Sequence, residues 1–265
     1  MSVGYLVPVL NCQKYVLEAL KPVVSALGQD DRIYVQDGGS TDGTLALIKS
    51  MHEERIEIQS HKDFGQADAL NQALERCKTE WVAWLNADDL AYPSALKVVH
   101  EILVTTEADL VLAAYAVTDE LGNSVREFNP EHVTLSSLLF TPRRPFSGSF
   151  WIRRSLLERV GGFNKDLHYC MDYDLFLRVW SASPVVEYTP VLASALRLHS
   201  LSKTGSSPWR FVAEARRVRR PYLNTDIAKL RGGIETCVHA TLVASTRIRN
   251  SNLYRRLRHG YRPTK

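Results

Sequence analysis

Short apolar runs alternate with segments whose apolar residues recur every three or four positions, and this rhythm fills the N-terminal part of the chain. Residues 3–10, Val-Gly-Tyr-Leu-Val-Pro-Val-Leu, predict a buried strand, and residues 15–26 a helix after it. Ile33-Tyr34-Val35 predicts a second strand, followed by a glycine-rich turn and a helix over 44–51 that Thr41 or Asp42 can cap. Ile56-Glu57-Ile58 predicts a third strand. Ala67, Leu70, Ala73 and Leu74 mark a helix over 66–77, and Trp81 to Leu85 reads as a strand that stops abruptly at Asn86-Ala87-Asp88-Asp89. Pro93 suits the first turn of the next helix. Such alternation predicts an α/β fold with a mostly parallel central sheet flanked by helices, in which ligands sit beyond the C-terminal ends of the strands.

The middle of the chain is less regular. Residues 110–117 predict a strand, 120–123 a turn, and 129–148 a loop-rich stretch holding Pro130, Pro142 and Pro145. A strand over 148–152, a helix over 154–160 stopped by Gly161-Gly162, a helix over 172–180 and an apolar run over 191–198 follow, the last leading into His199. Beyond Ser202 the pattern turns basic and helical, without a clean apolar stripe.

Charge sharpens that division. Residues 203–265 carry 15 Lys+Arg and 3 Asp+Glu, a net +12, which leaves 18 basic and 26 acidic residues, a net −8, for residues 1–202. The expectation is a catalytic domain over 1–204 and a basic, mainly helical extension over 205–265, which suits an anionic membrane surface. A solvated face or an oligomer contact fits the charge as well, and no motif for nucleic acid accompanies it. The chain has no apolar run of the roughly 18 residues needed to span a bilayer, and its first residues lack a signal peptide's basic start. The location expected is therefore cytoplasmic, peripheral at the inner face of the plasma membrane. Cys12, Cys77, Cys170 and Cys237 are scattered without metal-site spacing and read as plain thiols.

Two strings carry candidate chemistry. Asn86-Ala87-Asp88-Asp89 directly follows an apolar strand, so its carboxylates enter the crevice with little freedom and can hold Mg²⁺ or Mn²⁺ against a diphosphate. Taken alone, it also suits an ordinary Asn/Asp-rich turn before a helix. Asp37-Gly38-Gly39-Ser40-Thr41-Asp42-Gly43-Thr44 again lies between strand and helix; its glycines allow close approach of backbone to a ligand, and an ordinary capped turn reads the same way.

Together with other segments these strings resemble the inverting family 2 glycosyltransferases of the GT-A (nucleotide-diphospho-sugar transferase) fold, over about residues 3–203. The resemblance rests on Asn11 after the first strand, on the string 37–44, on Asp63-Phe64-Gly65-Gln66-Ala67-Asp68-Ala69-Leu70-Asn71 and on Trp84 to Asp89. Gly161-Gly162-Phe163, the run from Met171 to Arg178, Arg197-Leu198-His199 and Ser202-Lys203-Thr204 continue it in order. It implies a nucleotide-diphosphate sugar as donor, a glycan or lipid-linked acceptor in bacterial polysaccharide assembly, and a divalent cation, Mn²⁺ or Mg²⁺. Position by position it implies nucleotide-sugar contacts at Pro8, Asn11, Asp37, Gly39, Gln66, Asp68, Asn86 and Ala87, metal ligation by Asp88 and His199, and Asp172 as general base. Asp174 is the fallback base, and Arg178 is expected to be a packing or salt-bridge residue. Asn86 and Gly38 depart from the family pattern, each standing where relatives commonly carry Asp; for Asn86 that favours ribose over metal. Gln66 and Asp68 do not share a helix face, so one is expected to meet nucleotide and the other to cap. The rival readings are a nucleotidyltransferase, although the loop after the first strand lacks basic residues, and a binding module of the same fold without catalysis.

Overall fold

The computed structural model describes residues 1–130, 133–140, 145–199 and 208–223. Strand β1 (Val3–Val9) is buried along its length and pairs in parallel with β2 (Arg32–Asp37) and β4 (Trp81–Trp84), while β2 pairs in parallel with β3 (Ile56–Ser60). Helices α1 (Val16–Ala26), α2 (Thr44–Lys49) and α3 (Gln66–Arg76) make the crossovers. The continuous apolar run of β1 follows from burial on both faces. Leu6 points into a core shared with α3 and the later helices, and Val3, Tyr5, Val7 and Val9 point into a second core under α1 and α4 (Pro93–Thr105).

Beyond β4 the sheet is mixed. With β5 at Leu90–Ala91, β6 at Leu110–Thr118, β7 at Ser124–Phe128, β8 at Phe150–Arg153 and β9 at Val186–Arg197, the order is β3-β2-β1-β4-β8-β6-β9-β5, and β7 pairs on β6. Strand β8 runs antiparallel to both β4 and β6, so β6 and its parallel partner β9 point the same way as β4. The expectation of a mostly parallel sheet thus holds for the N-terminal half, and the second half alternates direction. The C-terminal ends of β1, β2, β4, β6 and β9 still share one edge.

Four features differ from the sequence reading. Helix α5 (Leu135–Phe140) lies where a loop was expected, and the two-residue strand β5 and strand β7 fall on residues for which the sequence predicted no element. Strand β9 starts five residues before the apolar run, and its register against β6 jumps between Thr189 and Leu192; the inserted residues include the exposed Pro190, which has no N–H for the ladder. Helix α6 (Arg154–Arg159) ends at Gly161 and Gly162, both with positive φ, 86° and 63°. A side chain at 162 would also meet Asn71 Oδ1 at 2.7 Å, and Asn71 is the residue that brackets the Phe163 backbone with two hydrogen bonds.

Helix α7 (Met171–Ser181) follows, and helix α8 (Pro208–Arg219) packs on it. The expected lack of an apolar stripe past Ser202 needs correcting for this helix. Val212, Ala215 and Val218, at a spacing of three, are buried in the same core as α7. The buried Arg219 donates to the Leu139 carbonyl at 3.1 Å. Residues 224–265, and with them most of the expected extension and Cys237, lie outside the described residues, as do Ser202, Lys203 and Thr204.

Candidate functional site

The chain leaves β1 through Asn11, held at φ 51°, a left-handed conformation that Asn tolerates better than most residues. Its N–H donates to Ser40 Oγ at 2.8 Å, and its Oδ1 accepts from Thr41 N–H at 2.9 Å, so the loops after β1 and β2 are tied together. Asp37, at the end of β2, is fully buried. Its carboxylate accepts from Gly39 and Ser40 N–H at 3.1 Å, from Ser60 Oγ at 2.6 Å, and from the Ser40 hydroxyl. Asp37 therefore organises the 38–41 loop from beneath, and Gly39, at φ 91°, is the point where that loop turns. Pro8 lies in register with Gln36 beside it. At Gly38 an added Cβ would stand 2.6 Å from Asp63 Oδ2, so a carboxylate from the β3–α3 loop already occupies the space that a side chain at 38 would need.

At the end of β4 the side chains divide between scaffold and cleft. Asn86 Oδ1 accepts from Trp84 Nε1 at 2.8 Å and from Gln66 Nε2 at 2.7 Å, and its Nδ2 donates to Asp89 Oδ2 at 2.7 Å. Asp89 is 1% exposed, and burial, with the neighbouring Asp88 carboxylate second, pushes its pKa up to about 8. An amide at 86 has a physical reason here: Asp89 needs a donor, and a second carboxylate at that distance would add like charge in a buried place. Ala87 is buried, so only its backbone can face a ligand. Asp88 points the other way, and its Oδ2 stands 2.9 Å from His199 Nε2, across 111 residues of sequence.

A cluster that sequence reasoning missed surrounds His199. The Tyr15 ring lies 4.8 Å from the His199 ring and 4.9 Å from the Arg197 guanidinium, and the Tyr15 hydroxyl donates to Glu120 Oε1 at 2.9 Å. Arg197, 3% exposed, pairs with Glu18 at 2.6 Å, and its backbone N–H donates to Asp89 Oδ1 at 3.1 Å. Helix α1, the β6–β7 turn and the end of β9 are thereby clamped around the Asp88–His199 pair.

Helix α3 carries the other wall. Gln66 faces Asn86, whereas Asp68, 4% exposed, accepts from Phe64 N–H at 3.1 Å, Gln72 Nε2 at 2.8 Å and Lys165 Nζ at 2.6 Å. Asp68 thus ties the backbone just before α3 to the helix, and the Lys165 ammonium keeps its pKa low. Between this helix start and residues 165–168 lies a shallow cavity of about 80 Å³, edged by Phe64, which is 95% exposed, and by His168.

Helix α7 follows a loop whose Lys165 meets Asp68 on α3, and four residues separate its end from β9, so Asp172 stands at a helix start that follows the α3 wall of the cleft. Asp172 is half-buried, and its Oδ1 accepts from the Tyr173 N–H at 2.7 Å. Asp174 pairs with Arg178 at 2.7 Å, and Arg178 also donates to the Val160 carbonyl at 2.6 Å. Arg178 is thus the salt-bridge residue the sequence predicts, and Asp174 has a structural partner.

Among the described residues no three His, Cys, Asp or Glu side chains are grouped to hold an ion unaided. Asp88 offers a carboxylate oxygen, the donor type that suits Mn²⁺ or Mg²⁺ when phosphate oxygens complete the shell, with the imidazole nitrogen of His199 beside it. The residues fit a cation that arrives with a diphosphate. No helix among the described residues is long and apolar enough to cross a membrane.

Known proteins resemble this chain in sequence and in fold. The sequence profile described as Glycosyl transferase family 2 matches residues 5–161. An uncharacterized glycosyltransferase of Rickettsia conorii is 28% identical over 212 residues, 75% of this chain and 34% of that protein. The chondroitin synthase of Escherichia coli is 27% identical over 69% of this chain and 27% of its own length. The chain spans about a third of the length of the Rickettsia conorii relative. Among solved structures, Staphylococcus aureus TarS 1–349 in complex with UDP-GlcNAc superposes with a TM-score of 0.66 at 18% identity, covering 88% of this chain and 69% of that one. The mannosyltransferase PcManGT of Pyrobaculum calidifontis, in complex with GDP-Man and Mn²⁺, gives 0.64 at 18% identity, covering 97% and 78%. At these identities the likeness of structures shows the fold, GT-A.

Proposed function

Because the chain belongs to the family 2 glycosyltransferases, we propose that it moves a sugar from a nucleotide-diphosphate donor to an acceptor hydroxyl with inversion. The observation that carries this reading is the Asp88–His199 pair, brought together at 2.9 Å on the strand edge that also bears the Asn11 and Asp37 loops. The tied loops after β1 and β2, shaped by Asp37, form the nucleoside side with Pro8 and Gly39. Gln66 and Asn86, bonded to each other, lie between that nucleoside side and Asp88, with Asn86 toward the ribose. Asp88 and His199 would hold a divalent cation, which would supply charge neutralisation for the diphosphate. Asp172 takes the proton of the acceptor hydroxyl as that oxygen attacks the anomeric carbon from the face opposite the diphosphate. Such single displacement needs one base only, and Asp172, half-buried at the start of α7, is the carboxylate assigned to it.

Two of the relatives named above are a chondroitin synthase and a TarS structure holding UDP-GlcNAc, which supports polysaccharide assembly with a UDP-linked sugar as the first donor to try. Incubation with a panel of UDP-, GDP- and dTDP-sugars and Mn²⁺ or Mg²⁺ is expected to release free nucleoside diphosphate from one donor class. Absence of release and of nucleotide binding across the whole panel, metal present, would overturn the reading.

We further propose residues 1–204 as the catalytic unit and the basic residues 205–265 as a contact to anionic lipid at the inner face of the plasma membrane, the charge of +12 beyond Ser202 being its support. The burial of α8 against α7 gives part of that segment a second job inside the fold. Flotation with anionic liposomes is expected to recover the full chain and to fail in high salt; recovery that ignores salt and lipid charge speaks against it.

A further inference from the structure

We propose that Glu214, on α8, is a positioning residue that fixes the backbone leading into Asp172. The proposal rests on the reading of Asp172 as the base, and deepens it. Helix α7 starts at Met171 and its N-cap, Cys170, offers no side-chain cap bond, and the chain entering it carries backbone N–H groups that need an acceptor from elsewhere. Glu214 closes that gap from another element. Its carboxylate accepts from His168 N–H at 2.9 Å, Tyr169 N–H at 2.5 Å and Cys170 N–H at 2.6 Å.

Three consecutive amides aimed at one carboxylate define that stretch of backbone far more narrowly than packing alone, because charge-assisted hydrogen bonds are short and directional. A negative group also suits the positive end of a helix. Asp172 follows two residues later, with too little chain between for it to move independently of Cys170. The same stretch is anchored upstream, where Lys165 meets Asp68 on α3, so the loop is held at both ends. It forms the wall of the cavity opposite Phe64.

Glu214 is carried into place by packing. Val212, Ala215 and Val218 sink into the core shared with α7, and Cys170 Sγ lies 3.5 Å from the Phe211 carbonyl. The match to the family profile ends at residue 161. The device is therefore built from chain beyond the matched region, by a helix whose arginines made it look merely basic.

The test compares Glu214→Ala, Glu214→Gln and Asp172→Asn in the full chain, by steady-state kinetics, melting temperature and amide hydrogen exchange. Glu214→Ala is expected to lower kcat by about 10²-fold, as displacement of a reacting group by an ångström or so does, with donor KM within about twofold, since such misplacement leaves the ground-state donor contacts intact. Exchange at residues 168–170 is expected to speed up, and Glu214→Gln, with one acceptor oxygen left, to fall between. Melting near the wild type in the Gln variant keeps the comparison valid should the Ala variant fold poorly. Unchanged exchange at 168–170, or wild-type kcat in both Glu214 variants while Asp172→Asn is inactive, overturns the proposal. Full activity in Asp172→Asn sinks the base assignment instead, and the exchange data then judge the hold of Glu214 on the loop separately.

Discussion

Asp172→Asn is expected to reduce kcat by about 10²–10⁴-fold, the range that one positioned general base contributes, while donor binding stays near that of the wild type. The substitution keeps the shape of the side chain and an oxygen for the Tyr173 N–H, which Asp172 Oδ1 accepts at 2.7 Å. What it removes is the capacity to take a proton. Asp174→Asn supplies the contrast. That carboxylate is already committed to Arg178 at 2.7 Å, and Arg178 in turn holds the Val160 carbonyl before the glycine stop. Its loss is expected to cost about 2 kcal/mol of stability, the scale of a hydrogen bond to a charged group, and to leave kcat within severalfold. Measured side by side, with melting curves and nucleoside diphosphate release, the two variants separate chemistry from support. If Asp174→Asn were the inactive protein and Asp172→Asn the active one, the roles would have to be exchanged.

How much of this site was legible in the sequence depended on where its residues lie relative to strand ends. The string from Asn86 to Asp89 could be found because four buried residues of β4 stop and acidic residues start, a local discontinuity. The 37–44 loop was legible for the same reason. What the discontinuity did not show is which atoms are spoken for. Asp37, Asp68 and Asn86 read as ligand contacts, and each also accepts hydrogen bonds from neighbouring protein groups, of which the sequence carries no sign.

Arg197 stood in the sequence as part of the run before His199, but its clamp with Tyr15, Glu18 and Glu120 left no signal, since Arg197 and Glu18 are 179 residues apart and an arginine is ordinarily a surface residue. Strand β7 was missed because its residues are mostly exposed and lack alternation, and β5 because two residues carry no periodicity. The start of β9 was hidden by Pro190, which marks a bulge where a regular strand would exclude it. In α8 the apolar positions 212, 215 and 218 were present in the sequence, but the arginines among them dominated the pattern. A signal for Glu214 did exist: a lone acid in a basic helix is out of place unless something positive, here a row of backbone N–H groups, requires it.

The second large effect is expected at Asp88. Removing divalent cations with a chelator should abolish nucleoside diphosphate release, and adding Mn²⁺ or Mg²⁺ should restore it. In Asp88→Asn, kcat/KM should fall by about 10²–10³-fold even at saturating metal, since Lewis-acid stabilisation is worth several kcal/mol and each 1.36 kcal/mol is tenfold. The direct reading is Mn²⁺ affinity in the presence of nucleoside diphosphate, by titration calorimetry or by the spin resonance of free Mn²⁺, which does not depend on turnover. Asp88 is the right residue to test because the acids at 88 and 89 are not equivalent. Asp89 is buried, bonded to Asn86 and to the Arg197 backbone, and burial holds its pKa near 8, whereas Asp88 is the partly exposed member, with a side chain 32% accessible, that turns toward His199. His199→Ala should weaken Mn²⁺ binding less than Asp88→Asn, because it removes a neutral donor and leaves the charge. Unaltered Mn²⁺ affinity in both variants would place the cation, and with it the diphosphate, somewhere other than the edge on which β4 and β9 end.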